Sequence, residues 1–167
     1  MTPEELKVFF DLKPLPLEGG YFSEFFRSPE TLTQSALPER YKSSKSTMTS
    51  IFYLLEPGTF SAFHRLQSDE IYHFYLGDPV DLVLLNMDGS LTNVTLGSDI
   101  YAGHQLQYAV PKGVWQGSAL MPGGQYALMG CTVAPGFDPD DYEHGHWETL
   151  LRQYPAHHAL IMKLTKK

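Results

Sequence analysis

The residues best suited to catalysis lie within residues 58–77, where His64 precedes Glu70 by six positions. An imidazole titrates near neutral pH, and a neighbouring carboxylate can orient it or, when buried, act as an acid of raised pKa. Such a pair inside one cavity predicts proton-transfer chemistry, with His64 as the base and Glu70 as its partner. The alternative is a structural role, because a histidine flanked by Phe63 and Leu66 is often a core residue bonded to a backbone carbonyl.

Six further residues are of types that bind small molecules. An arginine can hold an anionic group through paired hydrogen bonds, and a glutamine offers both a donor and an acceptor. A tryptophan can stack on a ring or simply fill the core. We predict as substrate-binding residues Arg27, Ser50, Tyr72, Gln107, Trp115 and Gln116.

The pattern around these residues is that of an all-β protein. Short aromatic and β-branched runs are separated by turn sequences every 8 to 20 or so residues, which favours a sandwich or barrel over a parallel sheet. Asp88-Gly89 between two such runs predicts a hairpin. The predicted strand runs are residues 21–26, 49–55, 59–65, 70–76, 80–87, 90–96, 104–110 and 125–133.

Both ends of the chain carry helix signals. Thr2 and Glu5 predict a capping box, and Pro3 suits a first helical position, so we expect a helix over residues 3–11. Residues 138–165 predict one or two closing helices that begin with a solvated acidic run. Residues 28–45, rich in Ser, Thr and Pro, predict a long loop. We expect a single domain over residues 1–167, with a barrel core at about 20–136.

Alternation along the strands predicts which side chains meet. Glu70 and Tyr72 should share one face of their strand, whereas His73 should point away from Glu70. By the same rule Arg65 should face away from His64, where an ion pair or a dimer contact would explain it.

Composition and charge limit the partners. The chain has 12 basic and 19 acidic residues, a net charge of −7, and lacks the basic face that nucleic acid requires. The single Cys131 excludes an internal disulfide and any cysteine-based metal cluster, and its apolar surroundings predict a small buried residue. No apolar run approaches the roughly 18–20 residues of a membrane span. We expect a soluble cytoplasmic protein that binds a small molecule and neither nucleic acid nor a membrane.

Two motifs resemble those of the cupins. Gly58, His64, Glu70 and Gly77 have the spacing of the first cupin motif, and residues 111–116 resemble the second. Longer strings are similar to an uncharacterised single-domain cupin family of bacteria and eukaryotes. They are Glu18-Gly19-Gly20-Tyr21-Phe22, Phe26-Arg27-Ser28, Thr49-Ser50-Ile51-Phe52-Tyr53-Leu54-Leu55, Phe63-His64-Arg65-Leu66, Ser68-Asp69-Glu70, Val110-Pro111-Lys112-Gly113 with Trp115-Gln116, and Gly130-Cys131-Thr132-Val133-Ala134-Pro135-Gly136-Phe137.

The resemblance implies a double-stranded β-helix, also called a jelly-roll barrel, and a homodimer. It also implies a pocket similar to that of the sugar-nucleotide 3,5-epimerases, although the family's own reaction is not established. Metal-binding cupins use three imidazoles and a carboxylate. Leu66 and Gln116 stand where the second and third histidines would be, so only His64 and Glu70 remain as residual ligands. His73 and His104 are the candidates for a replacement.

These observations favour one function and leave two alternatives open. The favoured function is an enzyme that isomerises or epimerises a polar, carbohydrate-like or anionic metabolite by acid–base catalysis. One alternative is a metal-dependent cupin enzyme that binds a divalent transition metal through His64 and Glu70. The other is a non-catalytic cupin that binds or senses a small ligand.

Overall fold

The computed structural model describes residues 1–166, which form short helices at both ends and strands between them. Each strand run carries the β-branched and aromatic side chains that pack well on a pleated surface. In chain order the elements are α1 (Pro3–Phe9), β1 (Lys13–Pro14), β2 (Tyr21–Arg27), β3 (Thr31–Leu32), β4 (Lys45–Ser46), β5 (Thr49–Leu55), β6 (Phe60–Leu66), β7 (Asp69–Gly77), β8 (Val80–Leu85), β9 (Leu91–Leu96), β10 (Gln107–Val110), β11 (Trp115–Leu120), β12 (Ala127–Ala134), β13 (Tyr142–His144), α2 (Trp147–Gln153) and α3 (His158–Lys163).

Two antiparallel sheets face each other. The six-stranded sheet has the order β1-β2-β5-β12-β7-β10, and the five-stranded sheet has the order β13-β6-β11-β8-β9. Strands β3 and β4 form a small separate ribbon inside the predicted long loop. This arrangement is a double-stranded β-helix with short terminal helices, so the predicted fold class is confirmed.

Side-chain alternation on β7 follows the prediction. Glu70 and Tyr72 are 7% and 1% exposed and point between the sheets. Ile71 is 38% exposed on the outer face, where His73 also lies and bonds through Nε2 to the hydroxyl of Thr132 at 3.0 Å. His73 is therefore turned away from Glu70, as expected.

The N-terminal helix begins as predicted and ends earlier. The Thr2 hydroxyl accepts from the Glu5 backbone N–H at 3.2 Å, and the Glu5 carboxylate accepts from the Thr2 backbone N–H at 2.7 Å, which is a complete capping box. The helix stops at Phe9, because Asp11 adopts a left-handed conformation (φ 49°) ahead of Pro14. Leu6 is fully buried in the apolar cluster that covers the outer face of the six-stranded sheet.

The hairpin predicted at Asp88-Gly89 connects β8 and β9. Pairing continues up to Leu85 opposite Leu91, and Asp88 Oδ1 accepts from the Ser90 backbone N–H at 2.9 Å. Gly89 has φ 86°, which a glycine adopts without strain. Strand β11 is not among the predicted strand runs, because Gly117 and its small neighbours lack the β-branched and aromatic side chains that indicate a strand.

The C-terminal region differs in part from the predicted helical segment. It contains α2 and α3, but β13 precedes them and extends the five-stranded sheet by pairing with β6. A three-residue strand is too short to leave a periodic signal. The helices cover the outer face of the five-stranded sheet, where Phe63 and Trp115 pack with Leu150 and Ile161.

A buried ion pair fixes the long loop to the segment before β13. Lys45, 2% exposed, places its ammonium 2.9 Å from Asp141, which is 7% exposed. The predicted solvated helix start is therefore wrong for Asp141, although Asp138 does accept from the Asp140 backbone N–H at the start of a short 3-10 turn. No helix within residues 1–166 is long and apolar enough to cross a membrane.

Candidate functional site

A cavity of about 540 Å³ occupies one end of the space between the sheets. Its inner end is formed by buried side chains, and its mouth by exposed ones such as Leu17 and Arg27. Both sheets, the loop after β1 and the segment after β12 contribute to the wall. The lining residues are Leu15, Pro16, Leu17, Glu18, Phe22, Glu24, Arg27, Thr49, Ile51, His64, Leu66, Glu70, Cys131, Val133, Phe137, Pro139 and Tyr142.

His64 stands at the inner end with its ring orientation fixed. Its Nδ1 lies 2.9 Å from the carbonyl oxygen of Ala62, and because a carbonyl can only accept, Nδ1 carries a proton. The Tyr142 ring stacks on the imidazole at a centroid distance of 5.3 Å. Nε2 is therefore the nitrogen that exchanges protons with the cavity.

Glu70 reaches the same place from the opposite sheet. Its Oε2 lies 3.9 Å from His64 Nε2 and accepts a hydrogen bond of 2.7 Å from the side-chain amide of Gln116. Gln116 is 1% exposed and pairs with His64 across β11 and β6. The amide thus holds the Glu70 carboxylate in a fixed position beside the imidazole.

Glu18 is a second carboxylate at the site, and the sequence prediction missed it. Its Oε2 is also 3.9 Å from His64 Nε2, and its Oε1 accepts from the Ser61 hydroxyl at 2.7 Å. The Ala62 backbone N–H donates to the Glu18 carbonyl at 2.8 Å, which anchors the loop to β6. The side chain is 15% exposed and faces the inner end of the cavity.

The turn that delivers Glu18 contains unusual backbone. Leu17 adopts a left-handed conformation (φ 62°), which is strained for a residue with a bulky side chain. Gly19 follows with φ 106°, and a Cβ there would collide with the carbonyl oxygen of Phe60. The Glu-Gly-Gly string was therefore a signal for a close backbone approach, although nothing in it revealed the partner.

Two of the ionisable groups, His64 and Glu18, hold protons more tightly than they would in water. Burial lowers the pKa of His64, but the charges of Glu18 and Glu70 and the Ala62 carbonyl outweigh it and raise that pKa to about 9. Burial raises the pKa of Glu18 above its ordinary value. His64 is therefore protonated at neutral pH in the resting protein, which differs from its predicted role as the initial base.

Cys131 lies near this cluster on the inner wall. It is 4% exposed, as its apolar surroundings predicted. Burial raises the pKa of its thiol well above the ordinary value, so the thiol stays protonated.

Arg27 lines the mouth of the cavity. Its Nη2 is 2.7 Å from the Glu24 carboxylate, and its Nη1 donates to the carbonyl of Phe137 at 3.0 Å. The guanidinium is thus already paired.

Four predicted binding residues lie away from the cavity, which corrects the sequence-based site. Tyr72 points between the sheets, as predicted, but belongs to the packed core. Ser50 alternates with the lining residues of β5, and Gln107 is exposed on β10. Trp115 lies on the outer face, 3% exposed, with the Arg65 guanidinium 4.5 Å above its ring.

The histidine candidates for extra metal ligands are also elsewhere. His73 bonds to Thr132 on the outer face, and His104 packs against Gly97 beyond β9. Arg65 faces away from His64, as predicted, and forms an ion pair with Glu143 at 2.7 Å.

The family described as Cupin superfamily (DUF985) matches residues 5–145. The chain belongs to this cupin family. Uncharacterized protein YML079W of Saccharomyces cerevisiae is 33% identical to this cupin over 136 residues, which cover 75% of this chain and 66% of the yeast protein. The cupin therefore spans just under two thirds of the length of that relative.

Solved structures share the fold of this cupin. A hypothetical protein from Leishmania major has a TM-score of 0.91 at 31% identity and covers 100% of both chains. Protein SO0799 from Shewanella oneidensis has a TM-score of 0.89 at 34% identity, covering 99% of this chain and 98% of that one. Oxalate decarboxylase from Bacillus subtilis has a TM-score of 0.56 at 16% identity, covering 94% of this chain and 38% of that one, a likeness of fold alone.

The residues of this cupin do not fit a transition-metal site. Oxalate decarboxylase has Mn(II) centres, but here Leu66 offers no ligand atom and the amide nitrogen of Gln116 is directed at Glu70. Among residues 1–166, no group of three or more His, Cys, Asp or Glu side chains is arranged to hold a metal ion.

Proposed function

We propose that this cupin is a small-molecule enzyme that isomerises a carbonyl compound by acid–base proton transfer. The observation that carries the proposal is the placement of one oriented imidazole between two carboxylates at the inner end of a cavity. His64 Nε2 is 3.9 Å from both Glu18 and Glu70. Perturbed ionisable groups of this kind, in a concave site, are typical of acid–base catalysts.

The first step removes a proton from the carbon next to the carbonyl. Glu18, whose pKa burial raises towards the working pH, accepts that proton, and the C–H electron pair forms a carbon–carbon double bond. The carbonyl π pair moves to oxygen, which takes the Nε2 proton of His64. The product of this step is a neutral enol, with Glu18 protonated and His64 neutral.

The second step returns both protons. The enol gives its O–H proton to His64 Nε2 as the carbon–oxygen double bond re-forms, and Glu18 returns its proton to the carbon that lost one, with inversion of that carbon when the enol turns its other face to Glu18. The protein ends in its starting protonation state, so no oxidant or co-reactant is needed. Glu70, held by Gln116, stabilises the imidazolium form of His64 before the first step and after the second.

Solvent exchange tests the reaction on simple carbonyl probes, whatever the natural substrate is. The protein is incubated in D₂O with phenylacetone, phenylpyruvate or D-fructose, and carbon-bound deuterium is followed by NMR. We expect catalysed exchange on at least one probe, and a loss of about 10²–10⁴-fold in His64→Gln and Glu18→Gln. His158→Gln and Glu148→Gln, both exposed on the C-terminal helices, are the matched controls.

Two results would count against the enzyme. Binding of a probe without exchange above the uncatalysed rate would favour the alternative of a ligand-binding or sensing cupin. Exchange that survives in His64→Gln would remove the imidazole from the mechanism.

We infer in addition that the protein is a homodimer, formed by a second copy on the six-stranded sheet. Strand β1 pairs with only the first two residues of β2, so the rest of that edge has no strand partner within residues 1–166. Phe25 on this edge is 68% exposed, and Tyr75 on the same sheet is 48% exposed. An open edge with exposed aromatic rings is stabilised when two copies pair around a two-fold axis.

Light scattering coupled to size-exclusion chromatography measures this association. We expect twice the monomer mass for the wild type and a monomer for Phe25→Glu. The control Leu91→Glu, on the edge strand of the other sheet, should remain dimeric. A monomeric wild type would exclude the dimer.

A further inference from the structure

The polarity of the cavity wall changes sharply with depth. At the inner end lie the ionisable groups His64, Glu18 and Glu70. The wall between them and the mouth is almost entirely apolar and comes from several different segments. It includes Leu15, Phe22, Ile51, Leu66, Val133 and Phe137.

Such a wall does not suit a carbohydrate. Each buried hydroxyl needs a hydrogen-bond partner, because an unpaired polar group loses its contacts with water and gains none. The hydroxyl of Thr49 on this part of the wall accepts from the Phe137 backbone N–H at 2.9 Å, and its single O–H can serve only one hydroxyl of a ligand. A polyol would therefore bury several hydroxyls against hydrocarbon.

The charges do not suit an anion either. At the inner end two carboxylates face one cation, His64, so an added anion meets repulsion from Glu18 and Glu70. At the mouth Arg27 is bound by Glu24 and by the Phe137 carbonyl. An anionic group would have to displace Glu24 or bind beside it.

We propose that the ligand of this cavity is a neutral, largely apolar ketone or aldehyde that carries a ring. Its carbonyl oxygen accepts the Nε2 proton of His64, and its ring lies between Phe22, Phe137 and the Tyr142 ring that covers His64. The volume of about 540 Å³ lies within the range of small-molecule sites. The carbonyl rests on the proposed function, whereas the apolar body follows from the wall and the absence of charge from the charged groups at the two ends of the cavity.

A matched set of probes tests the ligand class by affinity, independently of turnover. Phenylacetone has the proposed properties, phenylpyruvate adds a carboxylate to the same ring, and D-fructose replaces the apolar body by hydroxyls. Dissociation constants come from isothermal titration and from saturation-transfer NMR. We expect phenylacetone to bind at least about 10-fold more tightly than either of the others.

Variants on adjacent residues of β12 locate the binding. Val133 lines the cavity, whereas its neighbour Thr132 faces outwards. Val133→Asp should weaken phenylacetone binding by at least about 10-fold, and Thr132→Asp should leave it within about twofold. Val133→Thr keeps the side-chain shape and should weaken binding in the same direction, which covers the case that Val133→Asp does not fold.

The outcomes separate this inference from the proposed reaction. Phenylpyruvate or D-fructose binding as tightly as phenylacetone would overturn it, and so would a lack of saturation by phenylacetone up to about 10 mM. Phenylacetone binding at the Val133 wall without deuterium exchange would support the ligand class and reject the isomerisation. Exchange confined to D-fructose would support the isomerisation and reject the ligand class.

Discussion

The interior of the barrel has two halves that are built from the same strands. On β7, Glu70 lies in the half with the cavity, and Tyr72 and Phe74, one and two alternations further along, lie in the packed half. In the packed half, side chains of both sheets fill the space between the strands. Its fully buried members include Tyr53, Leu55, Tyr72, Val80, Leu82, Leu84, Leu96, Ala127 and Met129.

The halves differ because of what closes each end. At the packed end, inward-facing apolar residues of β8, β9 and β10 meet those of β7 and β12. At the cavity end, the wall is completed by two loops, which contribute Glu18 and Phe137 among others. The direction in which a side chain points from its strand therefore decides whether it lies between the sheets. Its position along the strand decides whether it belongs to the packed half or to the half with the cavity.

Equal truncations should give unequal losses of stability in the two halves. Leu82→Ala in the packed half should lower the free energy of unfolding by about 3 kcal/mol, because it removes buried contacts and leaves a void. Leu66→Ala on the cavity wall should cost less than about half of that, since the space it borders is already open. Urea titrations of both variants measure the difference. Equal losses would contradict the division into halves.

Alkaline pH should lower the free energy of unfolding, because it removes the proton from His64. Because its pKa in the folded protein is about 9 and its ordinary value is 6.5, the folded state binds the proton more tightly. This stabilisation, on the order of 3 kcal/mol, is fully present below pH 6.5 and is lost as the pH rises through 9. Urea titrations of the wild type across this range should show the fall.

An NMR titration of the His64 ring tests whether the neighbouring carboxylates hold its proton. The ionisable groups that face it are Glu18, Glu70, Tyr142 and His144. Glu18→Gln removes the largest favourable charge and should move the His64 midpoint down towards its ordinary value. A wild-type midpoint at or below 6.5 would show that the carboxylates do not hold the proton there.

The sequence identified one partnership in the site and missed the other. The spacing of His64 and Glu70, which resembles the first cupin motif, predicts that they converge. The two residues lie on consecutive strands in opposite sheets, so their inward-facing side chains meet between the sheets. Glu18 could not be found this way, since its position depends on the turn at Leu17 and Gly19 folding back onto β6. Loop geometry of that kind has no periodic signal.

Two of the predicted binding residues, Tyr72 and Trp115, lie outside the cavity for different reasons. Tyr72 points between the sheets as Glu70 does, but the alternation of side chains along a strand does not show how far the cavity extends along the barrel. Trp115 is different, because alternation was enough to place it: Gln116 points inwards, so its neighbour points outwards. The rule that correctly turned Arg65 away from His64 applies equally to Trp115.

Replacement of Trp115 should therefore have the smallest effect at the site. Its ring packs under Arg65 on the outer face, and its Nε1 has no hydrogen-bond partner within residues 1–166, so Trp115→Phe loses packing area and no bond. We expect a destabilisation of about 1 kcal/mol in urea titrations and phenylacetone binding within twofold of the wild type. Gln116→Leu, one residue further on, releases Glu70 from its amide and should change both binding and the His64 titration. If Trp115→Phe disturbed the cavity as much as Gln116→Leu, the two faces of β11 would not be independent, and facing alone would not separate chemistry from packing.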